Sequence, residues 1–223
     1  MNNITLIIPA KNEPESLPAV LDELKLYDYN INVILHPDDY LTIDAIKEHN
    51  VNLIFQDNHG YGDALLLGIN KCKTKYFTIF NADGSFVPSE IKDMINHLEK
   101  NNFDLVFGSR YHKKKGSEDD TIVTLIGNYF FSYVGKIFFK LNISDILYTF
   151  VIGKTKETKQ LNLKQKDFTF CVELPIKAKR SGLEISSINS FERKRIAGTK
   201  KVNAFRDGLK ILLYLIKLFF KTK

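Results

Sequence analysis

Asparagine, aspartate and serine alternate in Phe80-Asn81-Ala82-Asp83-Gly84-Ser85, directly after an apolar run. A strand that ends in a tight glycine turn presents these side chains at one point. Asp83 supplies a carboxylate, Asn81 a carbonyl oxygen and Ser85 a hydroxyl, hard oxygen donors of the kind a divalent cation bridging a diphosphate takes. The same residues also make an ordinary Asx turn ahead of a helix entered through Pro88, and both readings stand at this level. A second cluster, Asn58-His59-Gly60-Tyr61-Gly62-Asp63-Ala64, places two glycines at a strand-to-helix junction. Glycine permits close backbone approach and a helix N-terminus favours anions, but a plain glycine-rich turn has the same composition. The Gly-Lys-Ser/Thr of a phosphate-binding P-loop is absent.

The elements that must position these clusters follow from apolar periodicity. Short apolar runs at Ile4–Ile8, Ile31–Leu35, Val51–Phe55, Tyr76–Phe80 and Leu105–Gly108 read as strands. Helical patterns at Glu15–Leu26, Thr42–His49, Ala64–Lys71 and Pro88–Lys100 fall between them. Such alternation implies an α/β fold, a mostly parallel sheet with helices on both faces. These sheets bind ligands beyond the carboxyl ends of their strands. Polar clusters follow the strands in register, at Pro9–Glu13, His36–Asp39, Gln56–Asp63, Asn81–Ser85 and Ser109–Tyr111. That is the pattern of a nucleotide-binding edge. The second half is less regular: a charged loop over His112–Asp120, helices over Gly127–Leu141, Phe168–Ser181 and Val202–Phe220, and a strand over Glu184–Phe191. No linker divides the chain, so a single domain is expected over 1–223, with a nucleotide half (1–111), an acceptor half (112–201) and a C-terminal amphipathic helix (202–223).

With 44% hydrophobic and 26% charged residues the chain is globular, not disordered. A net charge of +6 suits acidic partners such as nucleotides, phospholipids or an anionic membrane surface. The basic runs carry no nucleic-acid reader motif, so nucleic acid is not expected. Cys72 and Cys171 lack metal spacing and fit a reducing compartment. The N-terminus reads as an immediate strand and not a signal peptide, and no uninterrupted apolar run approaches the roughly 20 residues of a membrane span. A cytoplasmic protein is expected, with peripheral contact at the inner face of the cytoplasmic membrane. That contact rests on the C-terminal helix. Arg206, Lys210, Lys217 and Lys221 form one basic stripe beside apolar residues, suited to anionic headgroups; a helix packed on the domain or buried in a homo-oligomer is the alternative.

The segments IIPAKNE, GYGDALLLGI, FNADGSFVP, DLVFGSRY, SDILYTFVIGK and ERKRIAGTKKVNAFRDGLKIL together resemble the family-2 glycosyltransferases with the GT-A fold, in the branch of the dolichol-phosphate mannosyltransferases. The resemblance extends over nearly the whole chain and implies roles position by position. Pro9, Ala10, Asn12 and Glu13 line the nucleobase and ribose pocket, with Gly62, Asp63 and Ala82 near the nucleotide. Asn81 and Asp83 stand at the Asp-x-Asp metal motif, with Ser85, for Mg²⁺ or Mn²⁺. Ser109, Arg110 and Tyr111 flank the diphosphate or an acceptor phosphate, Asp145 faces the sugar and Glu173 lies in the acceptor half. Arg193, Arg195 and Lys200 supply cations near the phosphates. Two departures stand out. Asn81 replaces the first aspartate of the metal motif, and Asp38 or Asp39 takes the place of the acid that reads the base.

The implied reaction moves a sugar from a nucleoside-diphosphate sugar to a polyprenyl-phosphate or glycan acceptor, with inversion. Its transition state is oxocarbenium-like and charge grows on the departing diphosphate. Asp83 through a metal, and Arg110 with the Arg193–Lys200 cluster, would neutralise that charge. A hydroxyl acceptor requires a base, for which Asp145 and Glu173 are the candidates; a phosphate acceptor requires none. The competing readings are a nucleotide-sugar-binding protein weakened by Asn81, and a sugar-phosphate nucleotidylyltransferase, against which PAKNE stands where a glycine- and arginine-rich loop is expected.

Overall fold

The computed structural model describes residues 3–111, 116–199 and 201–221. Strands β1 (Ile4–Pro9), β2 (Asn30–Leu35), β3 (Asn52–Phe55), β4 (Tyr76–Ile79), β5 (Leu105–Ser109), β6 (Val151–Lys154) and β7 (Ile185–Asn189) form one sheet in the order β3-β2-β1-β4-β6-β5-β7. The helices are α1 (Leu17–Leu24), α2 (Tyr40–Ala45), α3 (Tyr61–Lys71), α4 (Glu90–Lys100), α5 (Ile122–Phe139), α6 (Thr155–Lys159), α7 (Phe170–Arg180) and α8 (Ala204–Phe220).

Strand alternation builds two cores, one on each face. Leu6 and Ile8 of β1 pack with Leu17 and Leu21 of α1 and Met94 of α4. Ile7 faces the other way, among Leu65 and Ile69 of α3. Each fully buried side chain of this size contributes about 1.5–3 kcal/mol. Helix α3 lies close because residue 68 is glycine: a Cβ there would stand 2.3 Å from Cγ2 of Ile7.

The sheet is parallel except at β6, which runs antiparallel to both β4 and β5. No strand is predicted at β6 from the sequence. It is four residues long, buried on both faces and without alternation, so its apolar run has no period to betray it. The chain passes from β1 to β2 and β3 on one side, then returns to β4 on the other side of β1. This reversal opens a crevice beyond the carboxyl ends of β1 and β4.

Helix α5 begins at Ile122, five residues before the predicted start at Gly127, because Thr121 and Thr124 form a reciprocal capping box. Its 18 residues are long and apolar enough, by length and composition, to cross a membrane. Counting uninterrupted apolar runs misses this, since Thr124, Asn128 and Ser132 break the run.

Candidate functional site

The register Ile7↔Ile79 sets the loops after β1 and β4 side by side at the crevice. In the first loop, Ala10 N–H donates to the Ile34 carbonyl at 2.8 Å. Asn12 takes a left-handed conformation, φ 52°. Its N–H donates to Asp39 Oδ2 at 2.7 Å, while the Glu13 N–H donates to Thr42 Oγ1 at 2.9 Å. Asp39 also caps α2. Of the two acids after β2, Asp39 therefore ties the loops together, whereas the Asp38 carboxylate is exposed beside His36. The His36 and His59 rings stack at 4.1 Å. Sequence reasoning assigned neither histidine a role; the available signal was their placement after two neighbouring strands.

The β4 turn is built around Gly84, φ +79°. The Ser85 N–H donates to Asp83 Oδ1 at 3.0 Å, and Asn81 Nδ2 donates to Ser85 Oγ at 3.3 Å. One segment, 192–199, folds across both loops. Ile196 N–H donates to the Asp83 carbonyl at 2.8 Å, and its side chain covers Gly84 so closely that a Cβ there would meet it at 2.5 Å. Arg195 Nη1 lies 3.6 Å from Asp83 Oδ2, and its Nη2 lies 2.8 Å from Asp119. Burial alone would lower its pKa, but the bond to Asp119 and the charge of Asp83 raise it overall. Lys201 Nζ stands 3.5 Å from Glu13. Lys200, expected among these cations, lies outside the described residues.

Arg193 serves differently from the expectation. Its guanidinium forks onto Glu23 of α1 at 3.0 and 2.9 Å and donates to the carbonyls of Gly84 and Phe86. It braces the Asp83 turn, and its donors are engaged there instead of facing a phosphate.

Asp83, the Asn81 carbonyl and Ser85 are all hard oxygen donors, the set that Mg²⁺ or Mn²⁺ prefers. Arg195 already places a positive charge at Asp83, so the position accepts a cation. The set contains one carboxylate, and among the described residues no group of three His, Cys, Asp or Glu is placed to hold a metal ion by itself. A divalent ion would therefore depend on substrate phosphates for further ligands.

Arg110 and Asp145 also depart from the expectation. Arg110 Nε and Nη2 bind the two oxygens of Asp145 at 2.7 and 3.0 Å, and Nη1 binds Glu192 at 3.0 Å. Its plane lies against Tyr111 and Tyr148. Burial opposes its charge, yet Asp145 and Glu192 raise its pKa well above the ordinary value. Asp145 is fully buried. A carboxylate sealed under a guanidinium fork cannot reach an acceptor hydroxyl, so Asp145 positions Arg110. Neighbouring Ser109 is buried and bonded to Ser144 Oγ at 2.7 Å. Tyr111 donates to Asp120 and accepts from Asn128 at 2.7 Å.

Glu173 is likewise fully buried, accepting the N–H groups of Lys164 and Gln165 at 2.9 and 2.8 Å and pairing with Lys177. It holds the loop that closes on Gly60 and Gly62. A Cβ on Gly62 would stand 2.4 Å from the Gln165 carbonyl, and Asp63 N–H donates to the Lys166 carbonyl at 3.0 Å. The close approach these glycines permit is thus to residues 165–167, and the anion-binding reading of this helix start gives way to a backbone cap.

Residues 5–161 match the model of glycosyl transferase family 2. An uncharacterized glycosyltransferase of Mycobacterium tuberculosis is 25% identical over 207 residues, covering 92% of each chain. A UDP-N-acetylglucosamine–dolichyl-phosphate N-acetylglucosaminyltransferase of Methanococcus voltae is 25% identical over 83% of each chain. Glucosyl-3-phosphoglycerate synthase of Mycobacterium tuberculosis, solved with Mn²⁺, UDP and phosphoglyceric acid, superposes with a TM-score of 0.73 at 13% identity, over 100% of this chain and 80% of that one. Sheet order, crevice and family match converge: the chain belongs to glycosyl transferase family 2 and is a glycosyltransferase with the GT-A fold.

Proposed function

We propose that this glycosyltransferase moves a sugar from a nucleoside-diphosphate sugar, a uridine one in the first instance, to a polyprenyl-phosphate acceptor, with inversion and with Mg²⁺ or Mn²⁺. The observation that carries the reading is the meeting of Asp83, Arg195, Glu13 and Lys201 at the switch-point crevice. In the free protein the two cations rest on carboxylates. A bound diphosphate offers them stronger anionic partners, and arginine is suited to its geometry.

In the transfer, the bond from the anomeric carbon to the diphosphate oxygen breaks, and the leaving group keeps the electron pair. The acceptor oxygen forms the new bond on the opposite face. Arg195 and Lys201 neutralise the charge that grows on the diphosphate. Asp83, with Asn81 and Ser85, would hold Mg²⁺ or Mn²⁺, which would supply Lewis-acid stabilisation of the same charge. Arg193 keeps the Asp83 turn in place from behind. The two carboxylates expected to act as base, Asp145 and Glu173, are sealed. This favours an acceptor whose oxygen is already anionic, such as a lipid phosphate, over a glycan hydroxyl, which would have to surrender a proton. The Methanococcus voltae relative, a UDP-N-acetylglucosamine–dolichyl-phosphate N-acetylglucosaminyltransferase, pairs such a donor with a lipid phosphate.

A thermal-shift screen of nucleoside diphosphates with and without Mn²⁺ tests the donor assignment. A ligand at a hundred times its Kd stabilises the native state by about 2.7 kcal/mol, a rise of roughly 5–10 °C for a domain of this size. No shift with any nucleotide, or an equal shift in Asp83→Ala, overturns it.

A further inference from the structure

We infer that α5 and α8 together form a surface that seats the protein on an anionic lipid bilayer. Helix α5 is inside out. Its buried side carries Asn128, which donates to Tyr111 at 2.7 Å, and Ser132, which accepts the Ile146 N–H at 3.1 Å. Its solvent face is apolar, with Ile122, Ile126, Tyr129, Tyr133 and Ile137 at successive steps of four, three, four and four residues, all exposed. Tyr133 alone is 65% exposed. A helix of a water-facing domain places these residues the other way round.

Helix α8 continues the same surface. Phe205, Leu209, Leu213, Ile216 and Phe220 share one exposed face, while Ile211, Leu215 and Leu218 are buried behind them. The helices run side by side in the same direction. Gly208 lies beneath the ring of Phe131, and the Phe138 and Phe219 rings meet edge to face at 5.5 Å. The exposed stripes are thereby joined, larger than the scattered apolar residues of an ordinary surface.

Charge identifies the occupant. Lys136 of α5 and Arg206, Lys210 and Lys217 of α8 are exposed, as are Lys140 and Lys221 at the two C-caps. The one carboxylate on either helix, Asp207, is buried. A second copy of this face would set like charges against one another. Anionic headgroups accept them, while the apolar stripe enters the headgroup–acyl boundary and the tyrosine rings match its mixed polarity. Helix α5 lies on the surface and does not span it, because Phe131, Gly135 and Phe139 hold its inner side in the domain core. Through Asn128 and Tyr111 the seated helix backs directly onto the Arg110 cluster, so seating would orient the crevice relative to the bilayer.

The inference does not use the donor assignment, and its test is separate. The whole protein is sedimented with vesicles of phosphatidylcholine containing phosphatidylglycerol, and with phosphatidylcholine alone, across a salt series. Binding to the anionic vesicles, weakened by salt, is expected. Ile126→Glu with Tyr133→Glu on α5, and Leu213→Glu on α8, should each reduce partitioning by about tenfold or more, with melting temperature and UDP binding unchanged. Lys217→Gln with Lys221→Gln, both exposed, gives a second test should the α5 pair disturb folding; with two of six cations removed, it should weaken the salt-sensitive part of binding measurably. Wild-type protein that stays in the supernatant overturns the inference. So does α5 substitution without effect on binding, or light scattering showing a dimer that the α5 pair dissolves while vesicles are ignored.

Discussion

Asp83 and Asp145 each face an arginine, and the two pairs behave as opposites. Asp145 is fully buried and gripped by both arms of Arg110 at 2.7 and 3.0 Å. Asp83 keeps 15% of its side chain exposed at the crevice and meets Arg195 at a single distance of 3.6 Å. The first pair is closed on every side by Glu192, Tyr111 and Tyr148. The second can open, because Arg195 holds Asp119 as an alternative partner. In the proposed reading the Arg110–Asp145 pair serves the architecture and the Asp83–Arg195 pair the chemistry, a division that follows access to water and ligand.

Arg110→Ala is the strongest way to break this comparison. It leaves the Asp145 carboxylate buried without its partner, a loss of about 3–5 kcal/mol, readable in urea unfolding. If stability is unchanged and only turnover falls, the pair is catalytic and the contrast fails. Asp83→Ala should do the reverse. Sugar transfer should fall by about 10²–10³-fold, the scale for losing a preorganised charge stabiliser, while stability falls by only about 0.5–1.5 kcal/mol, the scale of the hydrogen bond lost to the Ser85 N–H. Arg195→Ala sharpens the contrast further. Turnover should fall by about tenfold, equivalent to 1.4 kcal/mol, while Mn²⁺ binds Asp83 more tightly because the competing cation has gone. Calorimetry separates these two outcomes, and weaker Mn²⁺ binding would count against an exchangeable pair. The smallest effect is expected from Asn81→Asp. A second carboxylate in the turn should tighten Mn²⁺ by about three- to tenfold through added charge, seen by paramagnetic resonance of the free ion.

The crevice was legible because its elements are local. Tyr76–Phe80 and the following Asn81–Ser85 can be read from apolar run and turn chemistry, and both appear at the predicted place. The Arg110–Asp145 pair was not legible in the same way. Its partners are 35 residues apart, brought together by the antiparallel insertion of β6, and no periodicity records that pairing. Glu173 was a base candidate through the family resemblance; its full burial and its hold on the backbone of residues 164–165 are not written in the local sequence. Gly60 and Gly62 were correctly singled out for close approach, but sequence cannot say what approaches, and here it is the carbonyls of residues 165–167. Helix α5 was foreseen over Gly127–Leu141, yet which of its faces meets solvent is set by what lies behind Asn128 and Ser132.

Titration of UDP into wild type and Asp83→Ala, with and without Mn²⁺, tests the central assignment most directly. Asp83 at the switch-point crevice is predicted to couple cation to diphosphate, so Mn²⁺ should tighten UDP by about tenfold or more in wild type and not at all in the variant, with both proteins folded at the temperature of the titration. An equal tightening in the two proteins would contradict the account.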